Sequence, residues 1–308
     1  MELLVNPTSY NNALDLIKLG VHQISVGTKE LSTSNSCVLS LEEISELVKH
    51  KNNTKILILV NRVYFEPDIK GLEEFLIKIS KLDIDGVIYC DYAVNQILFE
   101  QNIKLHEVYN PETLVVNYGQ IPFYLENGIS EISLARELSG FNMNEIIKNK
   151  QGIKIQINVA GYSYMMWSRW YLLSNFAQSH DIKDNLVNKK LFLTEPKRES
   201  DFLVYEDNTG THMYTNYNLN LLGELQELYD NGCDTIRIET FLHNEEWTNV
   251  ISEIFLKAIE LCKTKSMNQE FIDQSKLALT KYDKVQSRGF YHMDRKDLIY
   301  LSSDESEK

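Results

Sequence analysis

"IKLGVHQISV" (17–26) is the stretch whose reading decides the fold, because the chain repeats it. "LENGISEISL" (125–134) and "YDNGCDTIRI" (229–238) have the same grammar: the end of an amphipathic helix, a glycine, then a short apolar strand. Gly20, Gly128 and Gly232 stand where a helix C-terminus needs a left-handed residue before the chain turns into a strand. A unit that ends each helix by feeding a new apolar strand is the pattern of a parallel sheet covered by helices.

Working outward, eight such strands are predicted: 2–6, 23–27, 56–61, 86–91, 104–110, 131–137, 154–161 and 235–240. Helical patterns follow at 10–20, 40–50, 71–82, 92–102, 113–127, 142–149 and 246–263. Ser40 with Glu43 three residues later reads as a capping box. The expected fold class is therefore α/β, a TIM-like (β/α)8 barrel with a helix-plus-hairpin insertion between strands 7 and 8. The expected organisation is a barrel over 1–265 that includes the insertion 162–234. A C-terminal helix and tail over 266–300 pack on it, and a disordered acidic tail covers 301–308.

Composition limits the function classes. The chain has 308 residues, 43% hydrophobic and 24% charged, as in ordinary globular proteins. No run of 18 apolar residues is present, so no membrane partner is expected. The start, "MELLVNPTSY", has neither a basic region nor an apolar core, so a cytoplasmic location is expected. Cys37, Cys90, Cys233 and Cys262 are scattered without CxxC spacing and read as reduced thiols with no metal role. The net charge of −13 works against phosphate binding unless the surface has a local basic patch.

In a barrel, the C-terminal strand ends face the site. They bring Asn6, Gly27, Asn61, Asp91, Asn110, Arg136, Glu137, Gly161 and Glu239 to one mouth. Arg136, Glu137, Arg237 and Glu239 either hold an anion there or close the barrel as a ring of ion pairs. His212, in the turn phrase "GTHMY", is either an acid–base group or a surface histidine. No Ser/His/Asp or Cys/His constellation is visible in the sequence.

The stretch "GYSYMMWSRWYLLSNF" (161–176) packs six aromatics, two methionines and an arginine into 16 positions. Apolar residues at 166, 170, 173 and 176 predict a helix buried against the barrel. The alternative is a platform on which Arg169 and its flanking tryptophans stack rings or bases.

That stretch, "LARELS" (134–139), "YNPET" (109–113), "YEDNTGTHMYTNYNLNLL" (205–222) and "SRGFY" (287–291) resemble the phrases of peptidase family U32, the collagenase-like peptidases. The resemblance runs from about residue 2 to 292. It implies a (β/α)8 barrel and a bacterial factor or subunit in 5-hydroxylation of tRNA wobble uridine. The alternatives are a U32 peptidase or a non-catalytic scaffold that binds a small carboxylate.

The resemblance also implies prephenate as a small-molecule requirement, tRNA as a partner and a second U32-family protein as a hetero-oligomer partner. From their places at the mouth and in the turn, His212, Glu239, Arg136 and Glu137 are the catalytic candidates. Asn61, Asn110, Glu112, Ser168, Arg169, Thr211 and Arg237 are the substrate-binding candidates.

Family members commonly hold an iron–sulfur cluster on four cysteines. The positions that match these ligands are Tyr164, Tyr171 and Asn220 here, 185–200 contains no cysteine, and the associated histidine is Ala160. No cluster and no other bound cofactor is therefore expected. A further departure puts Ser34 where the family's loop arginine stands.

Overall fold

A computed structural model describes residues 1–195, 200–282 and 285–293. Its strands are β1 Glu2–Val5, β2 Gln23–Val26, β3 Lys55–Val60, β4 Gly86–Tyr89, β5 His106–Tyr109, β6 Glu131–Ser133, β7 Lys154–Ser168, β8 Leu191–Glu195, β9 Ser200–Asp207, β10 Gly210–Asn220, β11 Thr235–Ile238 and β12 Gln286–Ser287. Its α-helices are α1 Tyr10–Leu19, α2 Leu41–Leu47, α3 Ile69–Ile79, α4 Tyr92–Glu100, α5 Ile121–Glu126, α6 Gly140–Lys148, α7 Leu172–Ser179, α8 Leu225–Asp230, α9 Glu245–Lys263 and α10 Gln269–Leu279.

Strands β1 to β7 pair in parallel in sequence order, and β11 pairs with both β7 and β1. The sheet thus closes on itself as an eight-stranded parallel barrel ringed by helices, the TIM-like fold the repeated unit predicts. The three repeated glycines take φ of 85°, 75° and 89°, the left-handed handover expected of them. Ser40 accepts from Glu43 N and the Glu43 carboxylate accepts from Ser40 N, a capping box worth about 1 kcal/mol.

The barrel interior is layered. Leu4, Leu57, Leu59, Ile88 and Val108 fill its middle. At the N-terminal strand ends, Lys55 pairs with Glu2 at 2.8 Å and His106 with Glu131 at 2.9 Å. This closed, charged end is structural. The site lies at the opposite end.

Between the seventh and eighth barrel strands, the helix expected over the aromatic stretch is absent. Instead β7 runs on past the barrel to Ser168. Its first half, 154–160, pairs with β6 and β11, and its second half pairs antiparallel with β10. Gly161 makes the joint: its φ is +101°, and a Cβ there would lie 1.9 Å from Glu239 O. The spacing of 166, 170, 173 and 176 is helical only by coincidence, because Met166 sits on the strand and Leu173 and Phe176 on α7. Tyr164 and Tyr171 therefore lie on different elements, not on one helix face.

β8, β9 and β10 form an antiparallel wall, with a turn at Asn208–Thr209 between β9 and β10. Glu206, fully buried, fixes α7 by accepting from Leu173 N at 2.8 Å and Ser174 N at 3.1 Å. The last part of 162–234 is not inserted material: α8 is the barrel's own helix before β11. The helix expected over 113–127 is confined to α5 and a preceding 3-10 turn. α10 packs on α9, and Tyr291 is buried where its carbonyl accepts from Gly140 N at 2.7 Å. The expected disordered tail, 301–308, lies outside the described residues.

Candidate functional site

The C-terminal strand ends and the inserted wall enclose a cleft of about 860 Å³. Its floor is made by buried ion pairs. Arg237 Nη2 lies 2.8 Å from Glu239 Oε2, and Arg237 Nε donates to Asn6 Oδ1 at 3.4 Å. Arg136 pairs with Glu112, and Asn110 Nδ2 donates to Glu112 Oε1 at 3.0 Å. The Arg136 side chain is only 8% exposed, yet its Nη1 has no hydrogen-bond partner in the protein. A buried guanidinium nitrogen left unpaired costs free energy unless something in the cleft accepts from it. Tyr214, 2% exposed, also lines the cleft with its hydroxyl beside Ser34, and burial holds its proton far more tightly than an ordinary phenol.

One wall carries a relay that the sequence does not reveal. His212 is 1% exposed on β10, so it is neither in the turn nor on the surface. Its Nδ1 lies 3.3 Å from Ser34 Oγ and its Nε2 lies 3.3 Å from Asp207 Oδ1. Nε2 also has Thr209 Oγ1 at 3.1 Å and Thr33 Oγ1 at 3.4 Å. Burial pushes the Asp207 carboxyl up, but donation from His212 and Thr209 outweighs it and holds the group down to about 2. A Ser/His/Asp arrangement is therefore present, built from residues up to 178 positions apart.

Asn61 fixes the loop that carries Ser34: its Oδ1 accepts from Thr33 N at 3.0 Å and its Nδ2 donates to Thr33 O at 3.1 Å. Arg169 lies over the Phe65 ring at 3.9 Å at the cleft edge, beside the exposed Trp170. Cys90 lines the cleft, but burial pushes its thiol up to about 12, so it stays protonated.

The structure thus gathers His212, Glu239, Arg136, Arg237, Asn61, Asn110, Glu112 and Arg169 around one cleft. Three candidates fall outside it. Glu137 is exposed and does not line the cleft, because β6 ends at Ser133 and the chain has already turned toward α6. Ser168 closes the end of β7, its Oγ accepting from Trp170 N at 3.2 Å. Thr211 accepts from Leu172 N at 2.9 Å and lies against Glu206, so it anchors α7. Asp91 is also structural, accepting from Ala93 N at 2.9 Å to cap α4. Ser34, Asp207 and Tyr214 are the site residues that sequence reasoning misses. Only the departure from the family loop at Ser34 gave any signal.

The positions that match the family's cluster ligands do not fit a cluster. Tyr164 packs edge-on against Tyr214 at 5.5 Å, Tyr171 donates to Asn208 O at 3.2 Å, and Asn220 donates to Gln286 Oε1 at 2.8 Å. None supplies a thiolate, and no three His, Cys, Asp or Glu side chains among the described residues group to hold a metal. No helix among the described residues is long and apolar enough to cross a membrane.

Fold and cleft together define a barrel protein that presents a charged, aromatic-walled mouth beneath an inserted β wall. The sequence model of peptidase family U32 matches residues 8–299, and the chain belongs to that family. It is 29% identical over 271 residues to tRNA hydroxylation protein P2 of Bacillus subtilis, covering 85% of this chain and 86% of the relative. It is 22% identical over 260 residues to tRNA hydroxylation protein P1 of the same organism, covering 80% and 61%. An uncharacterized protease of Methanocaldococcus jannaschii is 25% identical over 311 residues, covering 96% and 74%.

Proposed function

We propose that this chain works in tRNA hydroxylation, at the 5-position of wobble uridine, as a factor or subunit without an iron–sulfur cluster of its own. The similarity to the two Bacillus subtilis tRNA hydroxylation proteins supports the reading. The observation that carries it is the charge of the mouth. In a chain of net charge −13, the cleft holds Arg62, Arg136, Arg169 and Arg237 against only Asp68, Glu112 and Glu239. With Arg136 and Arg237 held by Glu112 and Glu239, Arg62 and Arg169 against Asp68 are the local relief from a repulsive surface that an RNA strand uses. Arg169 stands at its edge, with the exposed Trp170 next to it in the chain, so that an unstacked base finds a guanidinium plane and an aromatic face.

Arg136 is the group for a small carboxylate co-ligand such as prephenate, since the residue lines the cleft, one guanidinium nitrogen is unpaired, and a guanidinium suits a planar anion. Glu239 and Glu112 orient the two buried arginines; His212 is the acid–base group. The site of action is the cytoplasm, where tRNA is found, and a second U32-family protein is the partner. The test is nucleoside mass spectrometry of tRNA from a strain lacking this chain. Loss of 5-hydroxyuridine derivatives supports the reading, and their unchanged level rejects it.

A further inference from the structure

We propose that Ser34, His212 and Asp207 form a hydrolytic triad opening into the cleft, which cleaves an ester whose acyl part carries an anionic group. The proposal rests on the relay itself and is independent of any role in tRNA hydroxylation.

Three observations support it. First, the distances run in the order a nucleophile, a base and an orienting carboxylate require: Ser34 Oγ to His212 Nδ1 at 3.3 Å, then His212 Nε2 to Asp207 Oδ1 at 3.3 Å. Hydrogen bonds of this length are usual in unliganded sites and tighten on substrate binding. The ring presents Nδ1 to the serine and Nε2 to the carboxylate, and either imidazole nitrogen is able to act as the base.

Second, the parts are held. Asp207 accepts from Thr209 N at 2.8 Å, from Thr209 Oγ1 at 2.6 Å and from Thr33 Oγ1 at 3.2 Å, so it stays ionised and aimed. Ser34 has φ of +50°, a left-handed conformation uncommon for serine, on the loop fixed by Asn61. It is half-buried and lines the cleft, so substrate reaches it, whereas His212 is sealed behind it.

Third, the residues lining the cleft supply donors near Ser34. Tyr214 Oη is buried beside the Ser34 hydroxyl, which suits it to an oxyanion formed there. Arg136 Nη1, which is unpartnered, takes the anionic group of the acyl part.

In the first step Ser34 Oγ bonds to the ester carbonyl carbon while its proton passes to His212 Nδ1. The ester C–O bond then breaks, and the leaving alkoxide takes that proton as an alcohol. Water attacks the acyl-serine, giving a proton through His212 back to Ser34 Oγ and releasing a carboxylic acid. The sum is ester plus water to acid plus alcohol, with no oxidant or reductant.

The test is to treat the full chain with a fluorophosphonate and map the adduct by peptide mass spectrometry, alongside turnover of p-nitrophenyl succinate. The expected result is one adduct, on Ser34, absent in Ser34→Ala, with labelling and turnover slowed about 100-fold or more in His212→Gln. Turnover of p-nitrophenyl acetate, which lacks the anionic group, should be slower than that of the succinate ester. No adduct, or an adduct elsewhere that persists in Ser34→Ala, overturns the proposal. Mapping the unaltered protein decides the question even if a variant fails to fold.

Discussion

Asp207 Oδ1 lies 3.3 Å from His212 Nε2, joining the end of one inserted strand to the buried face of the next. The carboxyl is held at about 2 against an ordinary 3.8, because donation from His212 and Thr209 outweighs the opposing effect of burial. A depressed carboxyl stabilises the folded chain above 3.8, and that contribution disappears as pH falls from there through about 2. Asp207→Asn is expected to cost at most about 2 kcal/mol at neutral pH, allowing for solvent screening. In urea denaturation, the difference from the parent should narrow as pH falls below about 4. A difference that stays constant into strong acid would show that the carboxylate charge is not what the fold uses.

His243 predicts a second pH effect of opposite origin. Its ring is stacked between Tyr162, 4.7 Å away, and Trp247, 3.7 Å away, and burial, aided by Lys190, pushes it from 6.5 to about 3. The unfolded chain takes up the proton near 6.5 and the folded chain does not. Stability is therefore full above 6.5 and falls as pH drops toward 3, by up to about 1.4 kcal/mol per pH unit. His22, also lowered by burial, adds to the same window. His243→Phe, which keeps a stacked ring, should flatten the dependence of the urea midpoint on pH between 6.5 and 4. An unchanged slope would remove His243 as its source.

Much of this was legible in sequence, and the division has a physical cause. The barrel could be read because each βα unit is local: the handover at Gly20, Gly128 or Gly232 and the cap at Ser40 involve residues a few positions apart. The mouth arginines followed from the same register, since strand ends in a parallel barrel share one face. The aromatic stretch was misread because its partner strand, β10, begins 42 residues after Ser168 and imposes β pairing on a segment with helical apolar spacing. Gly161 was the local clue, the one residue able to bend β7 out of the barrel past Glu239. Asp207 was invisible, and Ser34 showed only as a departure from the family loop, because only the closed fold brings the second barrel loop against the inserted wall.

Arg136 gives the next prediction. If its unpaired Nη1 is the carboxylate donor, calorimetry with prephenate should show binding to the parent and at least tenfold weaker binding to Arg136→Lys, which keeps the charge but loses the fork. Arg136→Ala should lose binding and also stability, because Glu112 is left without its partner. Equal binding in parent and Arg136→Lys contradicts the assignment.

Tyr164, Tyr171 and Asn220 give another. With no thiolate at these positions, protein purified without oxygen should contain well below one iron and one sulfide per chain. A stoichiometric cluster would mean that the scattered cysteines, or a partner, supply the ligands.

The central claim is that this cleft serves tRNA hydroxylation, and it is tested most directly inside cells. A strain lacking the chain should be complemented with the parent gene or with Arg136→Ala, and its tRNA nucleosides quantified by mass spectrometry. The account predicts that 5-hydroxyuridine derivatives fall on deletion, return with the parent, and stay low with Arg136→Ala at equal protein level. Unchanged levels on deletion would contradict it.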